Sequence, residues 1–169
     1  GNPLDEDITM GPLAKKSQAV YVKTLVQQAK SFGATQILNQ LYFKNSIVNE
    51  NYVPPQILVE VGHNMDIMND ETFGPVMPIM KVNDDKAAIE CINACNFGLT
   101  NSIWTQDIER GEELCDMIES GTCFINKCDY LDPMLPWSGV KDTGMGCSLS
   151  YLGYLSVTRP KSYYLNENL

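Results

Sequence analysis

The chain has 169 residues, of which 44% are hydrophobic, and a formal net charge of −9 from 12 basic and 21 acidic residues. This composition excludes a disordered chain, and no apolar run approaches the roughly 20 residues that cross a bilayer. The acidic balance argues against nucleic acid or an anionic membrane as a partner, since both need clustered Lys and Arg. We expect a soluble protein, cytoplasmic in the first instance, with mitochondria or another soluble compartment left open.

The first half of the chain predicts an extended arm of about a dozen residues, then a helix and a strand. The helix covers 15–32 and ends at Gly33, where a C-cap is expected. Residues 39–55 are Asn-rich with a Pro pair and predict a surface excursion, and 56–61 alternate as a strand does. The predicted buried face of the helix consists of Val22, Leu25, Val26, Ala29 and Phe32.

A regular alternation of strands and helices follows. Strands are predicted at 76–82, 99–105 and 122–125, separated by helices that begin at Asp84–Asp85 and Asp107 and end before Gly98 and Gly121. Strand–helix–strand units at this spacing predict right-handed crossovers and a largely parallel sheet, hence an α/β fold. The predicted buried stripes are Ala88, Cys91, Ile92 and Cys95 on the first helix, and Ile108, Gly111, Leu114, Cys115 and Ile118 on the second.

The last 43 residues lose this regularity. Residues 127–149 carry several Gly and Pro and predict either a functional loop or an element that periodicity does not detect. Residues 155–165, with β-branched and Tyr residues around Arg159–Pro160, predict a terminal strand that lies at an edge or pairs with another chain.

Six cysteines, all in the second half, allow two interpretations. A chain this long and apolar does not need disulfides, so reduced cysteines are favoured over a disulfide framework. Zinc is disfavoured by the spacings and by His63 being the only histidine. Cys128 and Cys147 fall in predicted loops and are the candidates for a reactive thiol.

No motif for dinucleotide phosphates is present, because Gly144-Met145-Gly146 lacks a third glycine and follows a loop. From pattern alone the chain is an α/β domain with a functional-looking loop.

Several segments, in order along the chain, resemble the aldehyde dehydrogenase family. The most specific is Glu71-Thr72-Phe73-Gly74-Pro75, similar to the family's Glu-x-Phe-Gly-Pro signature. The others are 3–5 with 10–13, Asn96-Phe97-Gly98-Leu99, Ser102-Ile103-Trp104-Thr105, Gly121-Thr122, Ile125-Asn126, 136–141, Thr143-Gly144 and 158–162.

The resemblance implies cofactor-binding roles for Glu71 and Phe73. The family's Glu holds the hydroxyls of the nicotinamide ribose, and its aromatic residue packs beside the nicotinamide of NAD or NADP. A carboxylate accepts from vicinal diols, and a flat apolar ring positions another ring. Without the motif, Glu71 would be a solvated helix-end carboxylate and Phe73 a core residue.

The resemblance also implies that Trp137 and Leu131 line the substrate tunnel. Trp137 stands where the family usually has Phe, and it is alternatively a core or interface anchor; the register at Leu131 depends on the length of a variable loop. Ser138 and Ser148 depart from the family pattern, and Ser148 cannot do the proton work of the acidic residue that many relatives have there.

The resemblance places residues 1–154 in the carboxy-terminal part of the catalytic domain and 155–169 in a terminal oligomerisation strand and tail. The family's nucleophilic Cys, general base, oxyanion-holding Asn and Rossmann domain are expected upstream of Gly1, so the chain alone is expected to be inactive. The first hypothesis is therefore a piece of an NAD(P)-dependent enzyme that oxidises an aldehyde to a carboxylic acid and forms homo-oligomers. The alternatives are a non-catalytic, dehydrogenase-derived module that acts through association, and a protein that uses Cys128 or Cys147. The particular aldehyde and the choice between NAD and NADP are not encoded in these residues.

Overall fold

The computed structural model describes residues 1–38, 43 and 49–167. It divides the chain into two compact units, unit 1 from Gly1 to Asn83 and unit 2 from Asp84 to Leu169. Both combine helices with strands, and each contains a parallel strand pair, which confirms the predicted α/β class. Most of the excursion predicted at 39–55 lies outside the described residues.

Unit 1 is a three-stranded sheet packed against a long helix. Its helices include α1 (Lys16–Ser31) and α2 (Asp66–Asn69), and its described strands are β1 (Thr35–Ile37), β2 (Gln56–Val59) and β3 (Val76–Pro78). Strand β2 pairs antiparallel with β1 and parallel with β3. The chain passes between the two parallel strands through α2, a four-residue helix that the sequence pattern did not predict.

The predicted apolar face of α1 is confirmed in its centre and wrong at its end. Val22, Leu25, Val26 and Ala29 are buried. Phe32 is 68% exposed, because it follows the last helical turn as the C-cap and leaves the buried face. Gly33, predicted as the C-cap, is the residue after it and adopts a φ of +104°, the left-handed conformation expected of a glycine at a helix end.

The core of unit 1 forms where α1 packs on β2. Leu25 and Leu58 are fully buried. Val61, Met65 and Ile67 extend this cluster along the chain into α2. A second cluster joins Ala19 and Val22 of α1 to Val53. These clusters fix the position of the segment between α2 and β3.

Unit 2 contains one strand–helix–strand crossover and several two-residue strands. The helices are α3 (Asp85–Asn93), α4 (Ile108–Met117) and α5 (Ser150–Val157). The strands are β4 (Phe97–Gly98), β5 (Thr100–Ile103), β6 (Thr122–Ile125), β7 (Trp137–Ser138), β8 (Val140–Lys141) and β9 (Cys147–Ser148). Strands β5 and β6 are parallel, with α4 between them, as predicted.

The pairing of β3 differs from the prediction. The spacing placed the strand at 76–82 in one sheet with β5 and β6, but among the described strands β3 pairs only with β2. The short α2 crossover gives β3 a parallel neighbour that precedes it in the chain.

The two predicted helix starts in unit 2 are confirmed, whereas the predicted burial is confirmed at Gly111 and Ile118 and wrong at Ile92 and Ile108. Asp84 accepts a hydrogen bond from the Ala87 N–H at 2.8 Å, and Asp107 from the Arg110 N–H at 3.0 Å. However, Ile92 is 42% exposed and no residue of α3 is fully buried. Ile108 is also exposed, because the described residues of unit 2 place no further layer over these helix faces.

The end of the chain also differs from expectation. Residues 155–157 belong to α5 rather than to a strand, and 158–167 run without a ladder partner among the described residues. The predicted boundary at residue 154 and the oligomerisation role of the tail stay predictions. Residues 127–149, predicted as a loop or an undetected element, contain β7, β8 and β9. Within the described part of the chain, no helix is long and apolar enough to cross a membrane.

Candidate functional site

The segment that carries Glu71 and Phe73 is a tight turn between α2 and β3 in unit 1. The Gly74 N–H donates to the Thr72 carbonyl at 3.0 Å, and the Val76 N–H donates to the Gly74 carbonyl at 2.9 Å. The Gln18 side chain donates to the Phe73 carbonyl at 3.4 Å, which ties the turn to α1. The backbone of the segment is therefore held from two sides.

Gly74 allows this turn to approach α1 closely. A Cβ atom at this position would lie 2.8 Å from Cγ2 of Val22, which is fully buried in the core. Such a contact is far inside van der Waals distance, and a packed core side chain has no room to withdraw. Glycine is thus required by packing, and it sets the position of the two preceding side chains.

Phe73 projects away from the core at this turn. It is 69% exposed, although burial of a Phe side chain is normally worth about 1.5–3 kcal/mol. Its ring borders an open, mainly apolar cleft of about 530 Å³ that Leu13, Ala14 and Gln18 also line. Phe73 is thus not a core residue of the described chain, and an aromatic ring held at an apolar cleft can stack against a flat ligand.

Glu71 is exposed two residues before Phe73. Among the described residues, none donates a hydrogen bond to its carboxylate, whereas the neighbouring Asp70 accepts from the Tyr21 hydroxyl at 2.7 Å. Both oxygens of Glu71 are free to accept from a diol.

Trp137 lies in unit 2, in β7, which pairs antiparallel with β9. Its indole is partly buried and contributes to two cavities. One, of about 240 Å³, is bounded by β6 and by the loop that follows it; the other, of about 350 Å³, lies against the glycine-rich turn 143–146. Trp137 is therefore a cavity wall rather than a fully buried core anchor.

Leu131 is exposed and is not among the residues that line either Trp137 cavity. The smaller cavity is instead lined by Phe124, Lys127, Tyr130 and Leu135, which the sequence analysis did not single out. The Lys127 ammonium lies 3.5 Å from the centre of the Tyr130 ring, a cation–π contact. The sequence did not predict this arrangement, because the side chains that face the cavity do not recur with a regular period.

The cysteines correct one expectation. Cys115 of α4 and Cys123 of β6 form a disulfide, so the prediction that all six are reduced is wrong for this pair. The bond joins neighbouring elements of a crossover, a proximity that spacing alone does not reveal. Cys91, Cys95, Cys128 and Cys147 are free, and of these only Cys128 is exposed.

The cofactor-side and tunnel candidates lie in different units, Glu71 and Phe73 in unit 1 and Leu131 and Trp137 in unit 2. Phe73 borders the apolar cleft of unit 1, and Trp137 lines the two cavities of unit 2. Searched over the described residues only, the chain holds no group of three His, Cys, Asp or Glu side chains suited to a metal ion.

Comparison with known proteins gives a consistent result. Residues 1–163 match the sequence model of the aldehyde dehydrogenase family. An aldehyde dehydrogenase-like protein of Schizosaccharomyces pombe is 32% identical over 170 residues, which cover 99% of this chain and 34% of that protein.

Solved structures are similar over the same extent. Succinic semialdehyde dehydrogenase from Streptococcus pyogenes, in complex with NADP+, has a TM-score of 0.85 and 31% identity, covering 98% of this chain and 36% of that one. The NAD+ complex of an aldehyde dehydrogenase from Bacillus cereus has a TM-score of 0.82 and 28% identity, covering 97% of this chain and 33% of that one. The chain thus spans about a third of the length of the proteins it matches.

Proposed function

This chain belongs to the aldehyde dehydrogenase family, and we propose that it is the carboxy-terminal part of the catalytic domain of an NAD(P)-dependent enzyme that oxidises an aldehyde to a carboxylic acid. In this proposal Glu71 and Phe73 form the nicotinamide side of the site, and Trp137 and Leu131 belong to the substrate tunnel. The nucleophilic Cys and the Rossmann domain are contributed by sequence upstream of Gly1.

The observation that carries the proposal is the exposed ring of Phe73 on a pinned backbone. Hydrogen bonds and the close packing of Gly74 on Val22 fix the turn, while the ring itself lies 69% exposed beside an apolar cleft. A fixed, exposed aromatic ring with an unpaired carboxylate two residues away suits a ligand that has a flat ring and a diol. A nicotinamide riboside has both, which supports NAD or NADP as the cofactor.

Glu71, Phe73 and Trp137 have distinct parts in such a reaction. When bound, the dinucleotide supplies the hydride acceptor. Glu71 accepts hydrogen bonds from the ribose hydroxyls and so sets the distance of the acceptor from the aldehyde. Phe73 excludes water from one face of the acceptor, and Trp137 limits the width of the aldehyde path.

The first experiment is the intact mass of the protein recovered from its source. A mass about three times the 18.9 kDa of this chain is expected, because the chain spans 34% of its relative. The purified 169-residue protein should show no NAD- or NADP-linked oxidation of a panel of aldehydes. Measurable turnover by that protein alone would contradict the assignment of the nucleophile to upstream sequence.

The role of Glu71 is tested in the longer polypeptide. Glu71→Gln should raise KM for the dinucleotide about tenfold or more, because hydrogen bonds to a charged acceptor contribute about 1.5–3 kcal/mol. KM for the aldehyde should not change. Glu112→Gln, on an exposed position of α4, is the matched control and should leave both constants unchanged. An unchanged dinucleotide KM in Glu71→Gln would refute the assignment.

A second function, association without catalysis, is favoured by the end of the chain. In α5 and the segment after it, the large side chains are mostly exposed, including Tyr151, Tyr154, Val157, Tyr163, Tyr164 and Leu165. Exposed apolar surface of this extent is typical of an interaction site. In both proposals the chain forms homo-oligomers, so sedimentation of the purified chain should show self-association, and a clean monomer at high concentration would count against it.

A further inference from the structure

Strand β6 separates two environments in unit 2. Its side chains alternate between the two faces of the strand, as in any pleated strand. Thr122 and Phe124 line the 240 Å³ cavity that Trp137 closes. Cys123 and Ile125 face α4, where Ile125 lies against Gly111 and Cys123 bonds to Cys115. The disulfide therefore joins β6 to α4 on the face of the strand opposite the cavity.

The disulfide joins two elements that also pack against each other through Gly111 of α4 and Ile125 of β6. In α4, Gly111 is the only fully buried residue, and the helix contributes no large buried side chain. The Cα atoms of Cys115 and Cys123 are 5.8 Å apart and the residues are eight positions apart in the chain. The bond therefore adds a covalent limit to the separation of α4 and β6 at this point.

The other thiols indicate that this bond is not part of a permanent framework. Four of the six cysteines are free, and Cys128 is exposed five residues after Cys123. An exposed free thiol persists in a reducing compartment, and disulfides that form there are usually transient or redox-sensing. Both bonded cysteines are partly exposed, so a small thiol can reach the pair.

We propose that Cys115 and Cys123 form a reversible thiol–disulfide pair, which fixes β6 against α4 when oxidised and releases the wall of the Trp137 cavity when reduced. The reaction with the pair is independent of the proposed dehydrogenase function. The consequence for substrate passage rests on that function, since it requires the cavity to belong to the tunnel.

The chemistry is a two-step exchange with a low-molecular-weight disulfide such as oxidised glutathione. The thiolate of one cysteine attacks the small disulfide, forming a mixed disulfide and releasing one small thiolate. The second cysteine thiolate then attacks the protein sulfur of that mixed disulfide and releases the other. The two protein thiols are oxidised, the small disulfide is reduced to two thiols, and the protons of the cysteines pass to the released thiolates.

The test uses the purified chain in glutathione buffers of increasing oxidised fraction. Thiols are trapped with N-ethylmaleimide, and disulfides are mapped by peptide mass. A linked pair of peptides containing Cys115 and Cys123 should appear on oxidation and disappear with excess reduced glutathione. Oxidation should raise the Tm by on the order of 10 °C. A different pairing, or a linkage that forms without a rise in Tm, would overturn the proposal.

Two variants separate the pair from the other thiols. Cys115→Ser should abolish both the linked peptides and the redox dependence of the Tm, whereas Cys91→Ser should retain both. If Cys115→Ser does not fold, the wild-type comparison between reduced and oxidised buffer still decides the question. Loss of the linkage in Cys91→Ser would point to exchange through that thiol and would overturn the assignment.

The effect on the cavity is measured without any dehydrogenase assay. Trp104→Phe leaves Trp137 as the only tryptophan, because the chain has two. Acrylamide quenching of Trp137 should be at least twofold stronger in the reduced protein than in the oxidised one. Equal quenching would refute release of the wall. A redox-dependent quenching difference in a protein that proves to have no dehydrogenase function would refute the substrate consequence alone.

Discussion

Units 1 and 2 hold their candidate side chains in different ways. In the described part of the chain, every buried large apolar side chain except Ile118 lies in unit 1. There the turn that carries Phe73 is packed against the core through Gly74 and Val22. Unit 2 has three helices of 9, 10 and 8 residues, and their large apolar side chains are partly or wholly exposed. Both units combine helices with strands, but only unit 1 has an extensive packed core.

Hydrogen bonds and an ion pair join the elements of unit 2. The Lys141 ammonium donates to the Cys95 carbonyl at 3.0 Å and also to the Asn93 carbonyl, and it pairs with Glu119 at 2.8 Å. The Asn126 side chain makes two hydrogen bonds with the backbone of Thr105, which tie the ends of β5 and β6. Unit 2 therefore depends on directional bonds, each of which a single substitution can remove.

The largest expected effect is in the core of unit 1. Leu58→Ala should lower the free energy of unfolding by about 3 kcal/mol, because Leu58 is fully buried and the cavity left behind adds to the lost burial. Leu4→Ala, at a highly exposed position, should change it by less than about 0.5 kcal/mol. Urea unfolding gives both values. If Ile92→Ala on the partly exposed α3 of unit 2 cost as much as Leu58→Ala, the contrast between the units would fail.

The next effect concerns the contacts that the Lys141 ammonium makes in unit 2 with two carbonyls and with Glu119. Lys141→Met should cost about 2 kcal/mol, because the Lys141 side chain is only 23% exposed and its loss leaves two carbonyls and Glu119 without their donor. Its positive φ is unchanged by this substitution, so backbone strain does not contribute to the difference. Lys86→Met is the control, since its ammonium lies 3.9 Å from Glu90 on an exposed helix face, and it should cost under about 0.5 kcal/mol. Equal losses of unfolding free energy in the two variants would show that the Lys141 contacts do not stabilise unit 2.

A smaller effect is expected at the start of α4. Asp107→Ala should cost about 1 kcal/mol, because the Arg110 N–H loses its acceptor at the N-terminus of the helix. Asp107→Asn keeps an acceptor and should lose much less. Hydrogen exchange of the first-turn amides of α4 should rise in the first variant only. If Asn were as damaging as Ala, the charge of Asp107 rather than its capping bond would stabilise the helix.

The features that were predictable from sequence are those encoded by near neighbours. Asp84 and Asp107 were identified as caps because the acceptor and its amide are three residues apart, and Gly33 because its conformation is local. The resemblance alone selected Phe73, since an exposed Phe has no signature in periodicity. The structure shows that its ring is exposed beside an apolar cleft.

The features that were missed depend on tertiary packing. Periodicity assigned Ile92 and Ile108 to buried faces, but whether such a face is buried depends on another layer, which the helix's own sequence does not contain. The Cys115–Cys123 bond was missed for the same reason, because α4 and β6 become neighbours only after the crossover forms. The final strand was predicted from β-branched and Tyr residues, yet 155–157 are helical.

The smallest effect concerns a polar bond at the edge of the packed unit. In unit 1 the Tyr21 hydroxyl donates to Asp70 at 2.7 Å, next to Glu71. This hydrogen bond, then burial and the charges of Asp70 and Asp66, raises the pKa of Tyr21 above its ordinary value of 10.0. A raised pKa means that the bond stabilises the fold fully below pH 10.0, and that this contribution is lost as the pH rises through the pKa of the folded state.

Tyr21→Phe should therefore cost well under about 1 kcal/mol at neutral pH, since the site is near the surface. The difference from wild type should be constant across neutral pH and shrink above pH 10. Urea unfolding of both proteins at a series of pH values measures it, with Tyr151→Phe at an exposed position of α5 as a control that should show no difference. A difference that persists undiminished at alkaline pH would mean that Tyr21 acts through packing, as the rest of unit 1 does. A difference that vanishes would show that even the core-built unit secures the turn beside Glu71 with a directional bond.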